Sequence, residues 1–395
     1  MAYDLKIFTE NIDGATTNQI YTLMAQPPFA SSRVRIMPDA HIGTGCVVGF
    51  TATMSDKIIP NVIGVDIGCG MLTVCLGKIY VDLPSLDNFI VNNIPTGARL
   101  RDEYSEVRLI KELRCYDELR SLDRIYRSLG TLGGGNHFIE LDKDDEGNIY
   151  LIIHTGSRNL GMQVAKIYEQ KAFLACKNAP EMAKREAHDR FMAQGKAQEL
   201  QAELERITRE YAYRTKTPAE LCYFEGDESE SYLHDMRICQ EFATKNRRKI
   251  ADDIMKFLGI HKAQSFETMH NFIDERGIIR KGAIPAYEGE LLLIPMNMRD
   301  GCLIVRGKGN EDWNFSAPHG AGRLVSRGEA KELFTEDEYK RAMEGIYTTS
   351  ANLSTIDESP MAYKPMDEIV RLIAPSVEIV KTIKPIYDLK DSKRN

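Results

Sequence analysis

A chain of 395 residues with 43% apolar and 28% charged side chains has enough apolar mass for a real core and no charge excess that would keep it unfolded. Its net charge of −7 argues against holding nucleic acid by bulk charge, although a local basic groove remains compatible with it. No stretch approaches the roughly 18 uninterrupted apolar residues of a membrane helix, and Met1 to Glu10 has no apolar run, so neither a span nor a secretory signal is expected. The 8 cysteines show no paired spacing and read as reduced thiols of a cytoplasmic protein.

In chain order, residues 1 to about 155 mix β-rich runs with Gly-rich turns. Val47 to Thr51, Met71 to Cys75 and Tyr150 to Ile153 have strand composition. The apolar run Val62 to Val65 reads as a further strand, ending in a Gly-rich turn. Residues 160 to about 259 are predicted helical. Ala193, Ala197, Leu200, Leu204, Ile207 and Tyr211 recur at helical spacing and predict one amphipathic stripe. Pro218 and the acidic stretch from Glu225 to Glu230 break that pattern, and a second helix is expected from about Leu233 to Gly259. Beyond it, Leu291 to Ile294 and Leu303 to Val305 are strand candidates, and a last helix is expected from about Met366 to Leu372. The fold class is therefore α/β (α+β): one large domain over 1–395, of layered mixed sheets flanked by helices, with a helical hairpin excursion at about 160–230.

Chemistry concentrates in the turns. Asp66-Ile67-Gly68-Cys69-Gly70 places a carboxylate and a thiol three apart, near enough to share one or two cations, although a turn with a buried Cys would look the same. Gly133, Gly134 and Gly135 precede Asn136 and His137, and such a run lets a ligand approach the backbone closely. It is neither a Walker A loop nor a dinucleotide fingerprint. His154 ends an apolar run with Arg158 four residues on, His270 precedes Asn271, and His319 sits among small residues with Arg323 nearby. A neutral imidazole with room around it is a competent nucleophile toward phosphorus, and Arg suits a phosphate oxygen. His188, His234 and His261, among charged helix residues, read as surface imidazoles. Together these features suggest a catalytic divalent-metal site acting on phosphate, with zinc ranked first by ligand softness and manganese or iron second.

Five blocks carry a resemblance: Met37 to Gly43, Val65 to Met71, Gly130 through Phe138, His154 to Arg158 and His319 to Arg323. In this order they resemble the signature blocks of the RtcB family of RNA-splicing ligases, and the ending Ile383 to Ile386 with Lys390 is similar too. The resemblance implies GTP and two Mn²⁺ ions as cofactors, replacing zinc with manganese. It implies that Cys69 bridges the two ions, with Asp66 and His270 completing one and His137 and His154 the other. His319 would be the nucleophile that accepts GMP. Asn136, His137, Phe138, Ile139, Glu140, His270, Asn271, the turn Pro295, Met296, Asn297 and Met298, and Gly320, Ala321 and Gly322 would surround the nucleotide, with Tyr363 on guanine and Lys390 at its edge. Arg158 and Arg323 would meet substrate phosphates. Two departures stand out: the family's Pro-Gly-Ser-Met turn reads Pro295-Met296-Asn297-Met298, and Ile42 replaces a common Pro.

The implied activity joins RNA 3′-phosphate or 2′,3′-cyclic phosphate ends to 5′-hydroxyl ends, in RNA repair or tRNA splicing, away from membranes. No motif points to an activating protein. The competing readings are a metal-dependent phosphodiesterase or phosphatase, which needs neither His319 nor Lys390, and an RNA-end binding factor that does not turn over.

Overall fold

The structure, a computed structural model, describes residues 3–104 and 106–392. Its frame is two mixed sheets. The larger runs, in spatial order, Leu291–Asn297, Gly301–Gly307, Val377–Lys390, Phe138–Lys143, Ile149–Thr155, Gly70–Gly77, Gln264–Met269, with Tyr347–Thr348 beside Val377–Lys390. The smaller orders Leu5–Ile7, Val34–His41, Val48–Thr53, Ile278–Lys281, Asn271–Ile273. Leu151, Ile152 and Ile153 are fully buried although their side chains alternate between faces. That is why the segment reads as a continuous apolar run: this central strand has protein on both sides.

The strands expected from composition all form, each extended by a residue or more at one or both ends. The run Val62 to Val65 does not. Pro60 opens a short helix, Pro60–Ile63, because its fixed φ suits a first helical position, and Gly64 ends it at φ +81. The predicted stripe is also divided. A helix Arg158–Ala193 ends before Gly195, whose φ of +68 reverses the chain, and a second helix Leu200–Lys216 returns along the first. The stripe residues of the returning helix face its partner, with Ile207 buried between them. This is the helical hairpin, and its two helices span 158–216.

The acidic stretch does not interrupt helix formation. Asp227, Glu228 and Glu230 form the first turn of Asp227–Phe257, where negative charge is favoured by the helix dipole. This third helix lines its buried face, from Tyr232 to Ile254, against the sheet body. The helix Met366–Ile373 forms as expected. Val377–Lys390, rich in Val and Ile yet not among the strands expected above, is the longest strand among the described residues, and Pro385 sits at an irregularity in its pairing, a position that tolerates a missing donor. No helix among the described residues is long and apolar enough to cross a membrane.

Candidate metal and nucleotide site

Four adjacent strands of the larger sheet deliver their ends to one place. Phe138–Lys143 begins just after His137, Ile149–Thr155 ends just after His154, Gly70–Gly77 begins just after Cys69, and Gln264–Met269 ends just before His270. Antiparallel pairing puts all four side chains at one edge, with His154 opposite both Phe138 and Met71. Asp66 joins them from the turn before Cys69.

The donor atoms converge. Cys69 Sγ lies 3.4 Å from His137 Nε2 and 3.4 Å from His154 Nε2. His154 Nε2 lies 3.1 Å from His270 Nε2, and His137 Nε2 lies 2.9 Å from Asp66 Oδ2. Two groups result: Asp66, Cys69 and His137 in one, and Cys69, His154 and His270 in the other. Cys69 belongs to both, but the pairing differs from that implied by the resemblance: Asp66 goes with His137, and His154 with His270. The strands of His154 and His270 flank Gly70–Gly77 on its two sides, and the two rings meet across its start, while the turn before Cys69 carries Asp66 across to His137.

The surroundings suit a cation. Burial and the neighbouring imidazoles push His154 well below its ordinary pKa, and burial with His319 does the same to His270, leaving both rings in the neutral, ligating form. Burial opposes ionisation of Asp66, but His137 beside it holds the carboxyl below the usual range. Burial and Asp66 raise the Cys69 thiol well above its ordinary value, a state that only a bound cation would reverse. Two imidazole nitrogens and a sulfur facing one another at these distances fit a metal better than they fit each other.

Beside this cluster stands His319, its ring centroid 4.8 Å from that of His270. It follows the short strand Ser316–Pro318. Asp39, fully buried on Val34–His41, accepts hydrogen bonds from the His319 backbone N–H at 3.1 Å and from Nδ1 at 2.6 Å. A carboxylate at that distance favours the tautomer with its proton on Nδ1 and leaves Nε2 as the ring nitrogen turned away from Asp39. Gly322, at φ +75, passes so close to Asp39 that a Cβ would lie 2.7 Å from the Asp39 Cα, so no other residue fits there.

A cleft opens above His319. Asn136, Phe138, Glu140, the turn Pro295 to Met298, Gly320, Ala321, Gly322, Arg323, Tyr363 and Lys390 line it, as the resemblance implies. Four residues of that set do not: His137 and His270 stay within the Cys69 cluster, and Ile139 and Asn271 turn elsewhere. Ile139 points to the opposite face of its strand and is buried in the core behind the sheet, as alternation requires. Asn271 turns toward the metal loop, donating to the Asp66 carbonyl at 3.3 Å and accepting from Gly282 N–H at 3.0 Å. The Asn297 amide is engaged in its own turn with Asp300 at 2.8 Å.

Arg158 lies under the Gly-rich loop, donating to Thr131 Oγ1 at 3.1 Å and the Gly97 carbonyl at 3.0 Å. Its φ of +55 is rare for a side-chain-bearing residue and aims the guanidinium back at that loop. Arg323 is held by the Asp357 carbonyl at 2.5 Å and stacks over the Tyr363 ring at 5.1 Å.

Several residues of the site carry no sequence signal. Buried Glu358 takes Lys390 at 3.3 Å, Tyr363 at 2.8 Å and Arg327 at 2.5 Å. Arg327 is the half-exposed cation at the mouth. Asn246 and Arg247, consecutive on Asp227–Phe257, tie the loops together. Asn246 accepts from Gly130 and Thr131 N–H at 2.7 and 3.1 Å and donates to the Thr131 and Gly156 carbonyls at 3.1 Å each. Arg247 donates to the Gly68 and Thr155 carbonyls at 3.0 and 2.8 Å. Nothing in a helix sequence marks which polar residue faces inward at a distant loop. His188, His234 and His261 stay away from the site, as expected.

Comparison with known proteins places this arrangement. A family model described as "tRNA-splicing ligase RtcB" matches residues 19–118 and 115–391. RNA-splicing ligase RtcB of Escherichia coli K12 is 28% identical, covering 98% of this chain and 97% of its own. The tRNA-splicing ligase RtcB proteins of Aeropyrum pernix and Thermococcus kodakarensis are 26% and 24% identical, over 85% and 89% of this chain and 83% and 86% of theirs. The chain belongs to the RtcB family.

Proposed function

We propose that this chain is an RNA ligase that joins RNA 3′-phosphate or 2′,3′-cyclic phosphate ends to 5′-hydroxyl ends, using GTP and two Mn²⁺ ions. The names of its relatives support the ligase class. The observation that carries the chemistry is His319, with Nδ1 on Asp39 and Nε2 turned away from it, beside the Cys69 cluster. Asp66, Cys69 and His137 would hold one ion, and Cys69, His154 and His270 the other. When bound, such ions neutralise charge developing on phosphate oxygens.

The protein's own part runs in three displacements. His319 Nε2 attacks the α-phosphorus of GTP, forming an N–P bond as pyrophosphate departs. Asp39 keeps the ring oriented and stabilises the positive charge it acquires. A 3′-phosphate oxygen of RNA then takes GMP from His319, restoring the neutral ring. Cyclic ends are first hydrolysed to the 3′-phosphate: a water adds to phosphorus as the P–O2′ bond breaks and O2′ takes up a proton. The 5′-hydroxyl attacks the activated phosphate, and GMP leaves. Glu140, Lys390 and Tyr363 would orient guanine, while Arg158, Arg323 and Arg327 would position phosphates. The whole chain would act as a single ligase domain, in tRNA splicing or RNA repair. Its eight unpaired thiols suit the reducing cytoplasm.

Incubation with α-labelled GTP and Mn²⁺ tests the reading. An acid-labile adduct is expected on the wild type and none on His319→Ala, with cation content unchanged. An adduct surviving in that variant removes His319 from the role. Release of phosphate from RNA ends with no adduct would identify a hydrolase instead.

A further inference from the structure

A second set of donors lies in the larger sheet, built from different residues. Glu140 and Asp142 point the same way from Phe138–Lys143. Asp388, on Val377–Lys390, is the direct cross-strand partner of Glu140. Cys302 comes from the next strand, Gly301–Gly307, with its Sγ 3.5 Å from Glu140 Oε1. One donor atom each from Glu140, Asp142 and Cys302 fall within 4.8 Å of one another. Glu140 is 3% exposed, and Asp142, Asp388 and Cys302 are 0% exposed.

Three carboxyls and a thiol in one dry neighbourhood need compensation. Hydrogen bonds from outside the cluster do not supply it: both oxygens of Asp142 and both of Asp388 are buried with no donor from the surrounding protein, and the contacts they make are with Glu140 and Cys302 of the same set. The nearby cation offsets only part of it: Lys390 favours ionisation of Asp388 and Glu140, but its Nζ is directed to Glu358 at 3.3 Å and the Asn136 carbonyl at 3.5 Å, and burial still holds both carboxyls high. Burial raises all three carboxyls, and each is raised further by a neighbouring carboxylate. Uncompensated anions at such depth are strongly unfavourable, and a bound cation removes the repulsion at once. Glu140 and Asp388 also line the cleft, which gives an ion a route in, whereas Asp142 and Cys302 lie behind them.

We propose that Glu140, Asp142, Asp388 and Cys302 form a third divalent-cation site, in the floor of the cleft and distinct from the Cys69 centre. Carboxylate oxygens with one thiolate suit a first-row transition ion such as Mn²⁺, Zn²⁺ or Co²⁺ better than Mg²⁺. Sitting behind Glu140, the ion would hold that carboxylate ionised, as an acceptor facing the cleft.

Cobalt binding to the full-length protein tests this, because Co²⁺ reports a thiolate ligand by charge-transfer absorption. Cys302→Ser and, independently, Asp142→Asn should each bind one Co²⁺ fewer per chain than the wild type. The thiolate band should persist in Cys69→Ala and vanish in Cys69→Ala/Cys302→Ser. Unchanged cobalt counts in both Cys302→Ser and Asp142→Asn would overturn the site. So would a metal-free Asp142→Asn protein that melts higher while its cobalt count stays at the wild-type value, which would mean that protons alone occupy the cluster. Failure of the Cys69 centre would look different: Cys69→Ala would then leave the cobalt count untouched.

Discussion

A carboxylate 2.6 Å from an imidazole nitrogen decides which end of the ring reacts. Asp39→Asn keeps the shape but presents an amide that can favour the wrong tautomer. Adduct formation should fall by about 10²- to 10⁴-fold, the range such a change produces in other histidine-dependent enzymes, with cation content intact. Quenched-flow labelling with GTP measures this, and wild-type rates in Asp39→Asn would mean the contact does not orient the ring. Cys69→Ala should lower occupancy of both cations together, since Sγ is common to both groups. Metal analysis showing loss of only one ion would contradict a bridging sulfur. At this scale the sequence was informative: the Asp, Cys and His residues singled out for metal do meet. What it could not supply was their pairing, because the ligands come from strands whose register is fixed only by the folded sheet.

Elements explain what the residue scale leaves open. The helix Asp227–Phe257 reads as an ordinary amphipathic helix, yet its buried Asn246 and Arg247 bind the carbonyls and amides of three site loops. Removing a fully buried guanidinium that serves Gly68, Thr155 and Glu267 leaves those acceptors stranded. Arg247→Met should therefore destabilise the protein by about 3–5 kcal/mol, measurable by urea unfolding, and should lower cation affinity. A loss below about 1 kcal/mol would show that the loops hold themselves. In the smaller sheet, Arg280 is fully buried and its main anion is Asp274, at 2.5 Å, which also accepts from Tyr287. Burial opposes ionisation of Asp274, but Arg280 and Tyr287 hold its pKa below the usual 3.8. A lowered folded-state value gives stability that is full above about pH 4 and is lost as pH falls through the folded value. Asp274→Asn should remove that acid-side dependence and lower stability at pH 7; equal slopes in both proteins between pH 4 and 2 would refute the assignment. The helical stripe, the apolar run at Val62 and the acidic run at Glu225 were misread for one reason. Each is a local pattern whose outcome was set by a single backbone residue, namely Gly195, Pro60 and the turn glycine Gly226 at φ +66.

For the molecule as a whole, the net charge of −7 leads us to predict that the proposed ligase grips RNA at a few points rather than across a basic face. With about three phosphate contacts on a single strand, the slope of log affinity against log salt should be about −2. Filter binding giving a slope several times steeper would reveal a broad basic path. The returning helix of the hairpin packs chiefly on its partner helix, so replacing residues 184–209 by a short turn should leave adduct formation within about twofold and the main unfolding transition in place, as calorimetry and labelling can check. The α/β class, the helical hairpin and most of the side chains that converge at the Cys69 cluster and the cleft could be read from one dimension. Strand composition, helical spacing and donor type are local properties carried by neighbours in the chain. Which donor atoms group together, that Ile139 faces the core, that Asn271 turns to the Asp66 loop, and that Asp39, Asn246, Arg247, Arg327 and Glu358 stand at the candidate site were decided only by tertiary structure. Register and packing between residues far apart in sequence determine which atoms meet, and no local pattern encodes that.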